Sequence, residues 1–314
     1  MTEAIYVEKL IKDYPLRQGS FLRAIDRIDF CVHEGEVFGF LGPNGAGKTS
    51  TIRILTGLSR PTGGKAKIMG MDLASELPRI KKQIGVVPEI SNLYDELTAF
   101  DNLMFIMQLY GVPRAERRQR ADELLSHFGL NDKRHTGFAK LSRGMKRSLT
   151  IAAALAHRPR LVFLDEPTTG LDVMSARNIR QTIANLRQEG VTIFLTTHYL
   201  EEAERLCDRI AIVVKGKIVA LDTIGGLKSQ VPKKPKIEII FVNEENQVEK
   251  VERECLGSIA ETIQKLLVET GGKQILAIHT LNPSLEDVFV HLTGLSVEEM
   301  LQEKGGKEGK NAAG

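Results

Sequence analysis

The chain has 314 residues, enough for one large and one small domain that each contain a hydrophobic core. Its 43 basic and 40 acidic residues give a net charge of +3, a bias too small to indicate a nucleic-acid partner. The three cysteines, Cys31, Cys207 and Cys255, form no CxxC pair, which excludes a disulfide framework and a cysteine zinc site and favours a reducing compartment. The sequence has neither an apolar run of about 18 residues nor an apolar signal-peptide segment, which argues against a membrane span and secretion.

Short apolar runs alternate with longer helical patterns along most of the chain, as is typical of an α/β domain around a buried sheet. The pattern predicts strands at residues 4–10, 25–32, 37–41, 84–87, 161–164, 191–195 and 210–214. It predicts helices at residues 48–55, 101–109, 114–128, 145–156, 175–188 and 200–207. Residues 95–157 show helical patterns without a convincing strand, and therefore predict an all-helical insertion into the α/β core.

A smaller unit is predicted after the α/β core. Strands at residues 209–214 and 217–221 close the main domain, which is therefore predicted to span residues 1–228. Residues 229–236 contain two prolines and several lysines and predict a linker. Alternating strand and helix patterns over residues 237–301 predict a small α+β domain, whereas residues 302–314 lack apolar side chains other than alanine and predict disorder.

The most specific pattern is GPNGAGKT, which follows an apolar strand and begins a helix. Glycines let the backbone turn tightly so that successive N–H groups converge on an anion, and the helix N-terminus adds partial positive charge. This GxxxxGK[ST] pattern predicts a P-loop. Lys48 is expected to reach the β- and γ-phosphates of a nucleotide, Thr49 to bind Mg²⁺, and Ser50 to bind an α-phosphate oxygen. The predicted nucleotide-binding residues here are Gly42, Pro43, Asn44, Gly45, Ala46, Gly47, Lys48, Thr49 and Ser50.

Two acidic residues, Asp165 and Glu166, follow the apolar run at 161–164, where a buried strand is expected to end beside the P-loop. Asp165 is expected to bind Mg²⁺ and Glu166 to polarise the attacking water, although an acidic turn after a core strand would look similar. His198 follows a neighbouring strand, so its imidazole is expected to bond the γ-phosphate and to orient Glu166. Glu166, His198 and Lys48 are therefore the predicted catalytic residues.

A second candidate phosphate site is the sequence LSRGM at the start of a strongly periodic helix. Ser142 and Gly144 would contribute a hydroxyl and free backbone N–H groups at the helix N-terminus. The alternative is that Ser142 serves only as the N-cap of the helix, and the local sequence by itself favours this alternative. The phosphate function makes sense if these residues serve the nucleotide of another copy of the chain.

Taken together, these residues resemble the ATP-binding cassette (ABC) ATPase family. The P-loop, the LSxGx signature, the LDE strand end, the sequence TGLD and His198 occur in the family's order, and the resemblance extends from Tyr6 to Leu221. It implies ATP and Mg²⁺ as ligands, and a head-to-tail homodimer that holds each ATP between one P-loop and the signature serine of the other subunit. Asp172 resembles the aspartate that crosses this interface. Tyr14 resembles the aromatic residue that stacks on adenine, with Phe21 as a weaker rival.

The C-terminal residues PSLEDVF and LTG resemble the extension of ABC ATPases of the drug- and sodium-export type. In that branch the ATPase is a separate polypeptide that docks beneath membrane-spanning permease subunits, which implies a cytoplasmic protein on the inner face of the cell membrane. A soluble ABC ATPase acting on ribosomes or DNA is the alternative. The single cassette, the lack of a coiled-coil or zinc insertion and the lack of an aromatic–basic stripe argue against it, and no nucleic-acid partner is expected. A non-hydrolysing regulator is disfavoured because Glu166 and His198 are both present.

Two residues depart from the family pattern. Glu89 stands where many members have glutamine, and its carboxylate is expected to bind Mg²⁺ directly and to repel the γ-phosphate when metal is absent. Arg143 stands where the usual signature has glycine, and its guanidinium either approaches phosphates at the dimer interface or, as we expect, points to solvent. Met145 replaces a common glutamine and is expected to pack rather than to form hydrogen bonds.

Overall fold

The structure is a computed structural model that describes residues 2–16, 19–232, 236–243, 245–255, 257–271, 273–281 and 283–301. The predicted disordered tail at 302–314 and residues 233–235 of the predicted linker lie outside these ranges. The described residues divide into two compact units, one containing those up to Ile224 together with Glu298–Leu301, the other containing those of Gly225–Val297.

The first unit contains two sheets. Its strands are β1 (Glu3–Pro15), β2 (Phe21–His33), β3 (Val37–Leu41), β4 (Gly63–Ile68), β5 (Met71–Asp72), β6 (Ile84–Val87), β7 (Leu161–Asp165), β8 (Thr192–Thr197), β9 (Arg209–Val214) and β10 (Lys217–Thr223). A four-stranded antiparallel sheet has the order β2-β1-β4-β5. A six-stranded sheet has the order β10-β9-β3-β8-β7-β6 and is parallel except for the pairing of β10 with β9. The predicted α/β fold class is confirmed.

A cluster of phenylalanines joins the two sheets. Phe30 on β2 lies 5.7 Å from Phe38 on β3 and 6.1 Å from Phe194 on β8, measured between ring centroids. Phe163 on β7 lies 5.5 Å from Phe194, and all four rings are buried. Aromatic pairs at these separations add to the free energy gained from area burial, so this cluster fixes the parallel strands against the antiparallel sheet.

The central strands β3, β7 and β8 are fully buried five- and six-residue runs, as expected of parallel strands covered on both faces. In the register Leu41 lies opposite Thr197, and Asp165 lies opposite Thr196. Parallel strands end at the same edge of the sheet, so the segments that follow these three strands are brought together there.

Helices surround the parallel sheet and form the region between β6 and β7. They are α1 (Lys48–Leu55), α2 (Leu77–Lys81), α3 (Ala99–Leu109), α4 (Arg114–His127), α5 (Arg143–Ala154), α6 (Val173–Gln188) and α7 (Leu200–Leu206), with short 3₁₀ turns at Asn131–Lys133 and Phe138–Lys140. Thr98 caps α3 by accepting a hydrogen bond from the Asp101 N–H at 3.1 Å. Asn102 is fully buried, and its side-chain Oδ1 accepts a hydrogen bond from the Tyr94 backbone N–H at 2.9 Å. The predicted helical region between β6 and β7 is thus built of α3, α4 and α5.

Helix α8 (Ile224–Ser229) begins at the boundary between the units, and all of it except Ile224 belongs to the second unit. The second unit also contains β11 (Lys236–Val242), β12 (Val248–Glu254), α9 (Ile259–Glu269), β13 (Gln274–Leu281) and α10 (Leu285–Thr293), and α11 (Val297–Leu301) follows. Its three-stranded sheet has the order β12-β11-β13, and α9 packs on it. A small core is formed by Ile237, Ile239, Phe241, Cys255 and Leu266. Among the described residues of the whole chain, no helix combines the length and apolarity needed to cross a bilayer.

Candidate functional site

A cavity of about 320 Å³ opens at the carboxyl ends of β3, β7 and β8. Its wall contains residues of every predicted catalytic or P-loop segment. The predicted site residues that line it are Tyr14, Asn44, Gly45, Gly47, Lys48, Thr49, Ser50, Glu89, Glu166 and His198. The structure therefore brings residues that are up to 184 positions apart in the sequence into one cavity.

The P-loop backbone is packed too closely for other residues at two of its glycines. Gly47 is the N-cap of α1 and has a φ of 106°, a conformation that L side chains rarely adopt. A Cβ at Gly47 would lie 2.4 Å from the Ala24 carbonyl oxygen, and one at Gly42 would lie 2.1 Å from that of Val213. Ala46 donates its N–H to the Pro43 carbonyl at 3.1 Å. Gly42, Pro43 and Ala46 thus shape the loop whose remaining residues face the cavity.

Lys48 is only 6% exposed and lies at the centre of this arrangement. Its ammonium donates to the Gly42 carbonyl at 2.7 Å and to the Pro43 carbonyl at 3.3 Å, and lies 3.2 Å from Glu166 Oε1. A lysine ammonium has three donors and a compact charge, so this group can also bind phosphate oxygens in the cavity.

Glu166 follows β7 in a left-handed backbone conformation with a φ of 46°. Such a conformation costs about 1–2 kcal/mol for a residue other than glycine and is found at functional sites. Its Oε2 accepts from His198 Nδ1 at 2.8 Å and from the Thr169 hydroxyl at 3.3 Å. Burial alone would raise the pKa of Glu166, but the hydrogen bond from His198 and the charges of Lys48 and His198 together hold its pKa below the usual value. The side chain is therefore a carboxylate near neutral pH.

The His198 ring is oriented by this contact. A carboxylate can only accept, so Nδ1 carries the hydrogen that bonds Glu166, and Nε2 is the other polar atom of the ring. His198 lines the cavity and is 9% exposed. Its ring can therefore contact Glu166 on one side and a bound phosphate on the other.

Asp165 and Thr49 form an oxygen donor pair suited to Mg²⁺. Asp165 is 4% exposed, and its carboxylate accepts hydrogen bonds from the Thr196 hydroxyl at 2.6 Å and from the Thr49 side chain. Burial raises the pKa of Asp165 and the charge of Glu166 adds to this, while the bonds from Thr196 and Thr49 and the charge of Lys48 partly oppose it. A cation beside Asp165 would lower this pKa, and a carboxylate with a hydroxyl is a ligand set that Mg²⁺ accepts. Thr49 and the exposed Glu89 line the cavity, whereas the buried Asp165 is not among its lining residues.

Tyr14 lines the cavity and is half-buried, and its hydroxyl donates to Ser50 Oγ at 3.3 Å. The Lys12 ammonium lies 4.9 Å from the centroid of the Tyr14 ring. Phe21, the weaker rival, is 68% exposed and is not among the residues that line this cavity. Tyr14 is thus the better placed aromatic residue to stack on a base.

The residues predicted to serve the second subunit are not among those that line this cavity. Ser142 caps α5 by accepting from the Met145 N–H at 3.2 Å, and it is exposed. Gly144 is packed against α6, since a Cβ there would lie 2.2 Å from Ser175 Oγ. Asp172 is exposed and caps α6 by accepting from the Ser175 N–H at 2.9 Å. Neither Ser142 nor Gly144 lines the cavity that contains the P-loop of the same chain.

The two arginines of α5 form contacts that the sequence did not predict. Arg143 is exposed but does not simply point to solvent, because its Nη1 donates to the Gly170 carbonyl at 2.7 Å. Arg147, which the sequence did not single out, is 7% exposed and donates to the carbonyls of Asp165 and Pro167, both at 2.8 Å, and to that of Pro88. Burial lowers the pKa of Arg147 to about 10, with the charges of Asp165, Glu89 and Glu166 opposing it, so Arg147 stays charged at neutral pH. Arg147 stands between Lys146 and Ser148, and this polar local sequence gives no sign that the arginine is buried rather than on the surface.

Comparison with known proteins fits this geometry. Residues 25–169 match the family described as ABC transporter. A fluoroquinolones export ATP-binding protein of Mycobacterium tuberculosis is 39% identical over 93% of this chain and 94% of its own length. The chain belongs to the ABC transporter family. The linearmycin resistance ATP-binding protein LnrL of Bacillus subtilis is 36% identical over 87% of this chain and 94% of its own length.

A solved structure of a related protein supports ATP hydrolysis as the reaction. A dimeric ATP-binding cassette in a post-hydrolysis state, bound to ADP and Pi, is 27% identical, has a TM-score of 0.65, and covers 70% of this chain and 98% of the solved chain. This member of the ABC transporter family is an ATP-binding, ATP-hydrolysing transporter subunit. The alternative of an ABC ATPase acting on ribosomes or DNA has no support among these relatives.

Proposed function

We propose that this ABC ATPase works as a head-to-tail homodimer that drives export through separate permease subunits in the cell membrane. The observation that carries the proposal is that its two predicted phosphate-binding segments do not line the same cavity. The P-loop lines a cavity with Lys48, Glu166 and His198, while the exposed Ser142 lies outside that cavity at the N-terminus of α5. A second copy is needed to place a signature serine on each ATP.

The proposed cycle follows from charge. ATP carries several negative charges, which on one side meet Lys48 and the N–H groups at the start of α1, and on the other side Ser142 of the partner subunit. Glu166 holds and polarises the attacking water, and His198 keeps Glu166 in place while contacting the γ-phosphate. Loss of the γ-phosphate removes the group that joins the two subunits, so the dimer opens and the movement passes to the permease.

Mg²⁺ would be held by Asp165, Thr49 and Glu89 in this scheme, and would neutralise charge on the β- and γ-phosphates. The bond between Thr49 and Asp165 and the exposure of Glu89 in the cavity support this set. Tyr14 stacks on adenine, Asp172 contacts the second subunit, and Ser50 binds the α-phosphate.

Glu89 gives a prediction about metal dependence. Two unit charges about 4 Å apart interact by about 1 kcal/mol in water, so we expect Glu89 to weaken metal-free ATP binding about fivefold. Glu89→Gln should therefore raise ATP affinity in EDTA while leaving affinity in Mg²⁺ equal or lower. Equilibrium binding of ATP to both proteins, with and without Mg²⁺, measures this. Equal metal dependence of the two proteins would remove the proposed role of Glu89.

The export role rests on the relatives and is tested by finding the partner. The named relatives are export or resistance ATP-binding proteins, and no described helix of this chain could itself cross a membrane. We expect the tagged chain, expressed in its native host, to be recovered from detergent-solubilised membranes with a multi-span membrane protein. Recovery with ribosomes or DNA instead, and with no membrane protein, would overturn the permease assignment.

The two compact units have different proposed roles. We propose that the larger unit is the ATPase domain and that the smaller unit, Gly225–Val297, is the C-terminal domain of the export subgroup. The protein is proposed to be cytoplasmic and peripheral on the inner face of the membrane, because it must meet both ATP and a permease.

A further inference from the structure

Two arginines on one face of α5 bond the segment that carries the catalytic carboxylate. Arg143 and Arg147 are one helical turn apart and therefore lie on the same face. Arg147 donates to the carbonyls of Asp165 and Pro167, both at 2.8 Å, at the start of this segment. Arg143 donates to the carbonyl of Gly170 at 2.7 Å, at its end. The segment from 165 to 170 is thus bonded to α5 at both ends, with Glu166 between them.

Thr169 links the hydrogen bond between Arg143 and Gly170 to Glu166. Thr169 precedes Gly170 and donates its hydroxyl to Glu166 Oε2 at 3.3 Å. Gly170 has a φ of 72°, and a Cβ there would lie 3.2 Å from Arg143 Nη1, so the guanidinium lies directly against this residue. Charge-assisted hydrogen bonds to a carbonyl are stronger than neutral ones, which makes Arg143 an effective restraint on the peptide that follows Thr169.

The same end of α5 carries Ser142. Arg143 is the next residue in the chain, and Gly144 packs on Ser175 so closely that a Cβ would lie 2.2 Å from its Oγ. The N-terminus of α5 is therefore in contact with the loop after Glu166 and with the start of α6. A glycine at position 143, as in the usual signature, has no side chain that could bond Gly170.

We propose that Arg143 is a positioning residue that couples the two ATP sites of the dimer. The proposal rests on the proposed function, in which Ser142 binds the nucleotide of the partner subunit. Because Arg143 joins the Ser142 end of α5 to Gly170, displacement of α5 by a change at the partner's nucleotide is passed through Thr169 to Glu166 of the same subunit. Hydrolysis at one site then depends on the state of the other.

The test uses mixtures of active and hydrolysis-blocked subunits. Glu166→Gln protein is added to parent protein at fixed total concentration, and the ATPase rate is measured against the blocked fraction. If one blocked subunit stops both sites of its dimer, the rate follows the square of the active fraction and falls to about one quarter at equal mixing, which gives a quadratic curve. If the sites are independent, the rate is proportional to the active fraction and the straight line passes through about one half. We expect the quadratic curve for the parent and a straight line when both subunits carry Arg143→Ala.

Controls separate coupling from general damage. Arg143→Lys keeps one charged donor and should restore the quadratic curve, and Arg118→Ala, which removes an exposed arginine of α4, should leave it unchanged. A purely structural role of Arg143 would lower the rate and the thermal stability but leave the curve quadratic, which overturns the proposal. Random pairing is checked by pull-down of two differently tagged subunits.

The outcome also separates this proposal from the function on which it rests. A straight line for the parent, with ATP-dependent dimers present, contradicts the coupling and leaves the dimeric ATPase intact. Absence of any ATP-dependent dimer contradicts the proposed function itself.

Discussion

Replacement of Glu166 by glutamine is expected to lower the rate of ATP hydrolysis by about 10²–10⁴-fold, the usual contribution of a general base. Glutamine has the same shape and can still accept the hydrogen bond from His198 Nδ1, so the site should stay folded. The lost charge is the one that lies 3.2 Å from the Lys48 ammonium and would repel the γ-phosphate. ATP affinity should therefore be unchanged or higher. Steady-state phosphate release and equilibrium ATP binding measure the two effects.

A matched control is available on a neighbouring helix. Glu201 on α7 is exposed and pairs with Arg205 at the surface, so Glu201→Gln makes the same chemical change outside the cavity. Its hydrolysis rate should remain close to that of the parent. A Glu166→Gln protein with parental turnover would exclude Glu166 as the residue that polarises water.

Removal of the Lys48 side chain is expected to weaken ATP binding itself. A hydrogen bond to a charged group contributes about 1.5–3 kcal/mol, so Lys48→Ala should raise the dissociation constant roughly 10- to 150-fold. The same change removes a cation that helps to hold the pKa of Glu166 down, so that pKa should rise. Calorimetric titration with ATP and Mg²⁺ gives the affinity directly.

Lys81→Ala provides the comparison for this variant, because Lys81 is an exposed lysine at the end of α2 and does not line the cavity. We expect its ATP affinity to match that of the parent. Unchanged ATP affinity in Lys48→Ala, with the fold intact by circular dichroism, would contradict the phosphate-binding role of Lys48.

The parts of this fold with strong local patterns were predictable. The apolar runs that became β3 and β7 and the GPNGAGKT sequence between β3 and α1 predicted the position of the cavity, because parallel strands end at one edge of the sheet. β12 was not predicted, since its sequence VEKVERE is mostly charged and six of its seven residues are exposed. β4 was not predicted either, because GGKAKI begins with two glycines and has little apolar alternation.

The contacts of side chains with distant backbone were not predictable. The bond from Arg143 to Gly170 and those from Arg147 to Asp165 and Pro167 depend on how α5 packs against the end of β7. Sequence periodicity places residues on a helix face but does not say which backbone carbonyl that face meets. The contact between His198 Nδ1 and Glu166 Oε2 is also tertiary, but the sequence led us to expect it, because the two residues follow strands that were predicted to be neighbours.

The central claim is that each ATP is bound by the P-loop of one subunit and the signature serine of the other. A crystal structure of the Glu166→Gln protein saturated with ATP and Mg²⁺, with its mass in solution checked by light scattering, tests this most directly. The predicted result is a two-fold dimer in which Ser142 of the partner subunit lies within hydrogen-bond distance of the γ-phosphate at both sites. A protein that stays monomeric under these conditions, with Ser142 far from any phosphate, would contradict the claim.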